Sequence, residues 1–187
     1  IDYYVAEFGD GRLLFGTGMT EKSPGAARTY IDYAQIPERS KRRIASGNLC
    51  RLLKGQVPGA EAQNGGRKIA GYPKYAAADH FGLVIDAHAH VLHEGGQGAG
   101  VDYIMYDGDA RGMLELNAWC GIDRIAMMSW NGPVCTDAID GNEIVWRAMQ
   151  AYGDPIIGVD VIDLTHMDRS GMSVEPRRHT GQDQFTW

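Results

Sequence analysis

The sequence predicts an α/β fold built on a parallel sheet, and three observations carry that prediction. Residues 83–162 alternate short apolar runs with helical periods in the order strand, helix, strand, helix, strand. This is the pattern of parallel strands joined by right-handed crossovers. Residues 12–53 add one more apolar run followed by helical stretches. Finally, His88 and His90 come directly after the apolar run Leu83-Val84-Ile85, and parallel α/β sheets build their sites at the carboxyl ends of strands.

Taken in order, residues 12–16, Arg-Leu-Leu-Phe-Gly, read as a buried strand. A helix follows, with Ser23 as N-cap and Pro24 at its first position; Ala27, Tyr30, Ile31 and Ala34 make its apolar stripe. Pro37 opens a second helical stretch, Glu38 to Ser46. A third, Leu49 to Leu53, is expected to pack through Leu49, Leu52 and Leu53. Lys41-Arg42-Arg43 reads as a solvated helix face.

Gly55, Pro58, Gly59, Gly65, Gly66, Gly71 and Pro73 punctuate residues 54–82 without any sustained period, which reads as a linker. Order returns with a strand at Leu83–His90 and a loop rich in glycine from Gly95 to Gly100. A helix follows from about Asp109 to Cys120, with Gly121 as its stop. Next come a strand, Arg124–Trp130, a helix from about Asn142 to Tyr152 ended by Gly153 and Pro155, and a strand, Ile156–Ile162. The helix carries Ile144, Val145, Ala148, Met149 and Tyr152 on one face. Residues 166–187 read as an irregular tail.

Composition narrows the function classes. The 187 residues suffice for one domain with a core, and 44% hydrophobic with 22% charged residues is ordinary for a globular protein. A net charge of −6 disfavours a nucleic-acid or anionic-membrane partner. No run is long and apolar enough to span a bilayer, and the start carries no signal-peptide pattern. Cys50, Cys120 and Cys135 lack metal-type spacing, and their odd number fits reduced thiols. A cytoplasmic location is the expectation. The chain opens on Ile1, which leaves processing or a fragment open.

Strand side chains alternate faces, so His88 and His90 point the same way. Two neutral imidazoles on one face are donors for zinc or another divalent metal. Asp86 is expected either to orient a ligand or to end the strand. His93 and Glu94 are expected to be a solvent-facing loop pair, His166 a loop histidine after the third strand, and Trp130 and Asn131 either pocket-lining or packing residues. His80 and His179 receive no role. Gly16-Thr17-Gly18 lacks the longer fingerprint of a phosphate loop, and no nucleophile–base arrangement is present.

The segment Val84-Ile85-Asp86-Ala87-His88-Ala89-His90 resembles the first strand of the metal-dependent amidohydrolase superfamily, most closely its amidohydrolase-related branch of hydrolases and non-oxidative decarboxylases. Arg12-Leu13-Leu14-Phe15-Gly16-Thr17-Gly18 resembles that branch's eighth strand. Pro24-Gly25-Ala26-Ala27, the Ile36 to Ile44 stretch and Asn48-Leu49-Cys50-Arg51-Leu52-Leu53 are similar to its C-terminal helices. The resemblance implies a partial (β/α)8 TIM-type barrel, with parallel strands corresponding to strands 8, 1, 2 and 3 and helices outside. It divides the chain into a C-terminal barrel segment (1–53), a linker (54–82), an N-terminal barrel segment (83–165) and a tail (166–187). It also implies His88 and His90 as metal ligands, with zinc or another divalent ion between them.

Two departures accompany the resemblance. The family's eighth strand ends in an Asp that serves as general base, and Gly18 stands at that position. Strands four to seven, with their further ligands, have no counterpart. The expectation is therefore a metal-dependent hydrolase or decarboxylase of a small, carboxylate-bearing or cyclic molecule, with no catalytic residue and no organic-cofactor site assigned. The alternatives are a non-catalytic half-barrel with a decayed metal site, a tandem-domain junction, or an incomplete piece of a longer enzyme. A half-barrel would expose sheet edges and an inner face, so a homo-oligomer or completion by other barrel strands is expected.

Overall fold

The computed structural model describes residues 1–53, 82–99, 104–105, 107–131 and 138–162. Residues 54–81 of the expected linker, Cys135, His166, His80, His179 and the expected tail lie outside the described residues.

The fold is α/β. Three parallel strands form a sheet: β1 (Ile85–Val91), β4 (Arg124–Ser129) and β5 (Ile156–Gly158), in the order β1-β4-β5. Two short strands, β2 (Gly98–Ala99) and β3 (Ile104–Met105), pair antiparallel inside the expected glycine-rich loop. Two-residue strands carry too little sequence for a period of two to be legible. Helices α5 (Ala110–Trp119) and α6 (Ala138–Tyr152) follow β3 and β4. Their Met113, Leu114, Val145 and Ala148 meet Ala89, Val91, Ile125 and Met127 of the sheet in one core. Asp109 caps α5, its carboxylate accepting from the Gly112 amide at 2.9 Å, and Gly121 follows with φ 65°.

Helix α6 starts four residues before the expected Asn142. Asp140-Gly141-Asn142 has the composition of a turn, but Ala138, Gly141 and Asn142 are buried in the helix. Asn142 donates to the Val161 carbonyl at 3.0 Å and accepts the Val161 amide at 2.9 Å. That pair of bonds holds the chain just past β5 in place of a sheet ladder, and β5 stops at Gly158 rather than Ile162.

The first 53 residues pack onto the same sheet. Helix α1 (Asp2–Phe8) buries no residue completely. Helix α2 (Pro24–Asp32) begins where Pro24 predicts. Helix α3 (Glu38–Arg42) runs through a π-helical turn, Arg43–Gly47, into α4 (Asn48–Leu52). The expected packing stripes need correction: Tyr30 is 73% and Leu52 57% exposed, whereas Ile31, Ile44, Ala45 and Asn48 are buried. Phe15, Ile31, Ile44 and Ala45 join Val84 and Ile122 in a second core. Asn48 donates to the carbonyls of Asp10 and Leu13, at 2.7 and 2.9 Å, tying this continuous helical run to the chain ahead of Phe15.

The strand expected at residues 12–16 is not a regular strand, and residues 15–19 run beside β1. The Ala87 amide donates to the Phe15 carbonyl (2.8 Å), the Gly18 amide to the His88 carbonyl (2.9 Å) and the His90 amide to the Met19 carbonyl (2.5 Å). Met19 and Ala89 form a parallel bridge. No helix among the described residues is long and apolar enough to cross a membrane.

Candidate metal-binding site

The site begins at an irregularity in β1. Pairing advances from Asp86 to Ala89 on β1 while it advances only from Ile125 to Met127 on β4. The extra residue is a β-bulge, a device that re-aims side chains. The amide set free by the bulge is not left bare, because the Asp86 carboxylate accepts the His88 N–H at 3.0 Å.

Asp86 is wholly buried. Its other contacts reach across to the 15–19 segment: the Thr17 amide donates at 2.9 Å and the Thr17 hydroxyl at 2.5 Å. Thr17 in turn accepts the Met19 amide at 3.0 Å. Burial pushes the Asp86 carboxyl above the ordinary carboxylate range, and the bonds from Thr17 and His88 oppose that shift. Asp86 therefore neither ends the strand nor orients an imidazole. It fastens the 15–19 segment to the bulge and so positions His88 through its backbone. In the sequence Thr17 stands out only as the middle of Gly16-Thr17-Gly18, and nothing there points to its bond with Asp86.

His88 lies within the bulge and His90 just past it, and their rings come together as the two-residue spacing predicts. Their Nε2 atoms lie 3.2 Å apart, and their rings meet edge to face with centroids 4.8 Å apart. His88 is exposed and His90 half-buried. The Trp130 ring stands edge-on against His90 at 5.1 Å, and the Trp130 amide donates to the Val91 carbonyl. Trp130 is thus a packing wall for one imidazole. Burial holds the His90 ring below the ordinary imidazole range, and the His88 charge adds to this. Glu21 and the Ser129 backbone act the other way. The buried Nδ1 of His90 has no well-aligned hydrogen-bond partner. A ring kept neutral retains a lone pair for a metal.

Gly16 and Gly18 shape the approach. A Cβ at Gly16 would come within 3.2 Å of the His88 Cβ, so a bare residue lets the 15–19 segment lie this close. Gly18 has φ 67°, a left-handed conformation suited to glycine. Its carbonyl accepts the Glu21 and Lys22 amides at 3.2 and 3.3 Å.

The remaining expected residues lie elsewhere or are engaged. His93 and Glu94 are exposed in the turn after β1. Asn131 donates to Asp140 at 2.8 Å, linking the end of β4 to α6. Cys50 and Cys120 are free thiols pushed up from their ordinary range by burial, which disfavours the reactive thiolate. Two open clefts, of about 510 and 570 Å³, lie beside Tyr3, Tyr30 and Tyr33 and beside Phe8, Arg43 and Arg51, not at the imidazole pair.

No protein-family model, curated protein or solved structure matches this chain. The amidohydrolase resemblance therefore rests on the sequence motifs alone.

The imidazole pair suits a divalent ion. Metal–nitrogen bonds of about 2.0–2.1 Å to two nitrogens 3.2 Å apart close an angle of about 100°, near tetrahedral. Among the described residues no group of three His, Cys, Asp or Glu side chains is assembled as a metal site.

Proposed function

We propose that the chain is an amidohydrolase-related protein of partial barrel content, in which residues 15–19, β1, β4 and β5 correspond to barrel strands 8, 1, 2 and 3. His88 and His90 hold zinc or another divalent ion at the carboxyl end of β1. The observation that carries this reading is the 3.2 Å convergence of two Nε2 atoms, one within the β1 bulge and one just past it. The parallel placement of the 15–19 segment beside β1 supports the strand correspondence.

The reaction is hydrolysis or non-oxidative decarboxylation of a small carboxylate-bearing or cyclic molecule. A bound ion supplies Lewis acidity and lowers the pKa of bound water towards about 7. The chain's own work is narrower. His88 and His90 offer nitrogen donors from one face, Trp130 limits the rotation of His90, and Asp86 with Thr17 holds the strand that presents both. The partner is a second copy or further barrel strands, because β5 ends the sheet among the described residues. The location is cytoplasmic, in keeping with the free thiols.

Metal analysis of the purified chain tests this function. One divalent ion per chain, lost in the double variant His88→Ala, His90→Ala, is the expected result. A chain without metal under zinc-replete conditions would sink the reading. It would favour a non-catalytic half-barrel, for which Gly18 speaks: the residue at the expected base position has no side chain and a backbone suited to glycine.

A further inference from the structure

The chain carries a net charge of −6, yet one surface cleft is strongly cationic. Arg12, Arg43 and Arg51 line an opening of about 570 Å³, together with Phe8 and Gly47. Volumes of about 300–1,000 Å³ are usual for small-molecule sites. Asp10 pairs with Arg43 at 3.0 Å, so three lining guanidiniums face one paired carboxylate and a surplus of positive charge remains.

The fold holds these groups together from two sides. Arg43, Gly47 and Arg51 are spaced four apart along the helical run from α3 to α4, so they share a side of it. Gly47 has no side chain and leaves room between the two guanidiniums. The π-helical turn Arg43–Gly47 lies in this stretch, and such turns are frequent at functional sites. Arg12 comes from the segment that Asn48 fastens to the same run through the carbonyls of Asp10 and Leu13. Arg51 adds a bond to the Gly11 carbonyl at 2.9 Å.

Those contacts leave donors to spare. Arg43 spends one nitrogen on Asp10 and Arg51 one on Gly11, while Arg12 makes no hydrogen bond or ion pair among the described residues. All three side chains are exposed, and each guanidinium carries five N–H donors. Phe8 is 64% exposed, and its ring packs on Tyr4 with centroids 5.1 Å apart. It gives an apolar surface, steadied by Tyr4, beside the cations.

We propose that this cleft binds an organic diphosphate, its phosphates held by Arg12, Arg43 and Arg51 and its organic part lying on Phe8. Guanidinium forks match pairs of phosphate oxygens. A diphosphate has enough oxygens to engage three forks at once, which a single carboxylate has not. The imidazole pair does not line this cleft, so the inference does not rest on the metal-site reading.

Isothermal titration calorimetry of the full chain tests it, with pyrophosphate and ADP as probes in metal-free buffer of low ionic strength. Both are expected to bind, ADP the more tightly. Arg12→Gln breaks no bond of the fold; it and Arg51→Gln are each expected to weaken both probes roughly 10- to 100-fold, as loss of a charge-assisted hydrogen bond does. Phe8→Ala is expected to bring ADP down to the level of pyrophosphate. Arg42 is the control for general charge: it neighbours Arg43 but lies 4.0 Å from Glu38 and does not line the cleft. Arg42→Gln should stay within about twofold of the parent, and the double variant His88→Ala/His90→Ala should bind both probes as the parent does. Circular dichroism checks that each variant is folded. If the parent binds neither probe, or if Arg12→Gln and Arg51→Gln bind like the parent, the proposal is overturned. Equal weakening by Arg42→Gln would reduce the cleft to general charge and overturn it as well. ADP binding no tighter than pyrophosphate would overturn the role of Phe8. A short single-stranded RNA that binds far more tightly than ADP would overturn the small-molecule assignment in favour of a nucleic-acid backbone.

Discussion

Asp86 and the His88/His90 pair lie within one strand yet differ in almost every physical respect. Asp86 is wholly buried and accepts three hydrogen bonds, from two stretches of chain that lie far apart in sequence. The imidazoles are exposed or half-buried and have chiefly each other and Trp130 as neighbours. The contrast separates support from chemistry. The fold invests its polar cohesion where the chain must be held, and leaves donor capacity where something is to be bound. A buried carboxylate is costly unless its hydrogen bonds are made, so Asp86 is credible as a structural fastener. The exposed His88 imidazole costs little to keep, so its presence speaks for no stability role.

The largest expected effect breaks that contrast at its buried end. Asp86→Ala removes the acceptor for the Thr17 amide, the Thr17 hydroxyl and the His88 amide, leaving buried donors unmatched. At roughly 1–3 kcal/mol for each unsatisfied group, and allowing for relaxation, a loss of about 3 kcal/mol is expected in urea unfolding. Asp86→Asn keeps the shape and an acceptor oxygen and carries no charge to desolvate, so it should lose about 1 kcal/mol or less. His88→Ala, in metal-free buffer, should fall within about 0.5 kcal/mol of the parent. If His88→Ala proved as damaging as Asp86→Ala, the division between support and chemistry would be wrong.

A smaller effect is expected at Gly18, on the segment that Asp86 fastens. The position has φ 67°, but its virtual Cβ meets only the end of the Lys22 side chain, at 3.6 Å. The cost of a side chain there is conformational, not steric. Gly18→Ala should lose about 1–2 kcal/mol from left-handed backbone alone. Gly18→Asp should lose less, because Asp tolerates that region better than Ala. Unfolding curves that place Asp below Ala would mean that the carboxylate is repelled or clashes, and the open space at Gly18 would be illusory.

These contrasts also explain what the sequence could reveal. The pairing of His88 with His90 was legible from their two-residue spacing, although His88 lies within the bulge. The role of Asp86 was not, because a bulge leaves no mark in a pattern of period two, and its partner Thr17 lies far away in sequence. The βαβαβ order was legible from apolar periodicity, and so were the first residues of α2 and α5, where Pro24 and Asp109 act locally. The burial of Asn142 was not, since its bonds are to Val161, beyond β5. Tyr30 and Leu52 show the opposite failure: they fit an apolar stripe by spacing, but both are exposed among the described residues.

The smallest expected effect lies furthest from the imidazoles and tests whether surface carboxylates behave unlike Asp86. Asp10 meets Arg43 at 3.0 Å, with the Arg43 side chain 63% exposed. Its carboxyl is held below the ordinary value of 3.8 by the Ser40 hydroxyl first and then by Arg43. A depressed folded-state pKa means that the unfolded chain binds more protons in this range, so stability rises with pH. The Asp10 contribution is then complete above 3.8 and disappears as the pH falls through the lower folded-state value. The difference in stability between the parent chain and Asp10→Asn should therefore be small near neutrality, as for an exposed pair, and should shrink further as the pH falls below 3.8. Urea unfolding across that range measures it. Salt should weaken the Arg43 share and spare the Ser40 hydrogen bond, so a salt-insensitive residue of the effect is expected. A difference that stays constant with pH would mean that the charge on Asp10 contributes nothing, and that its side chain matters only by shape.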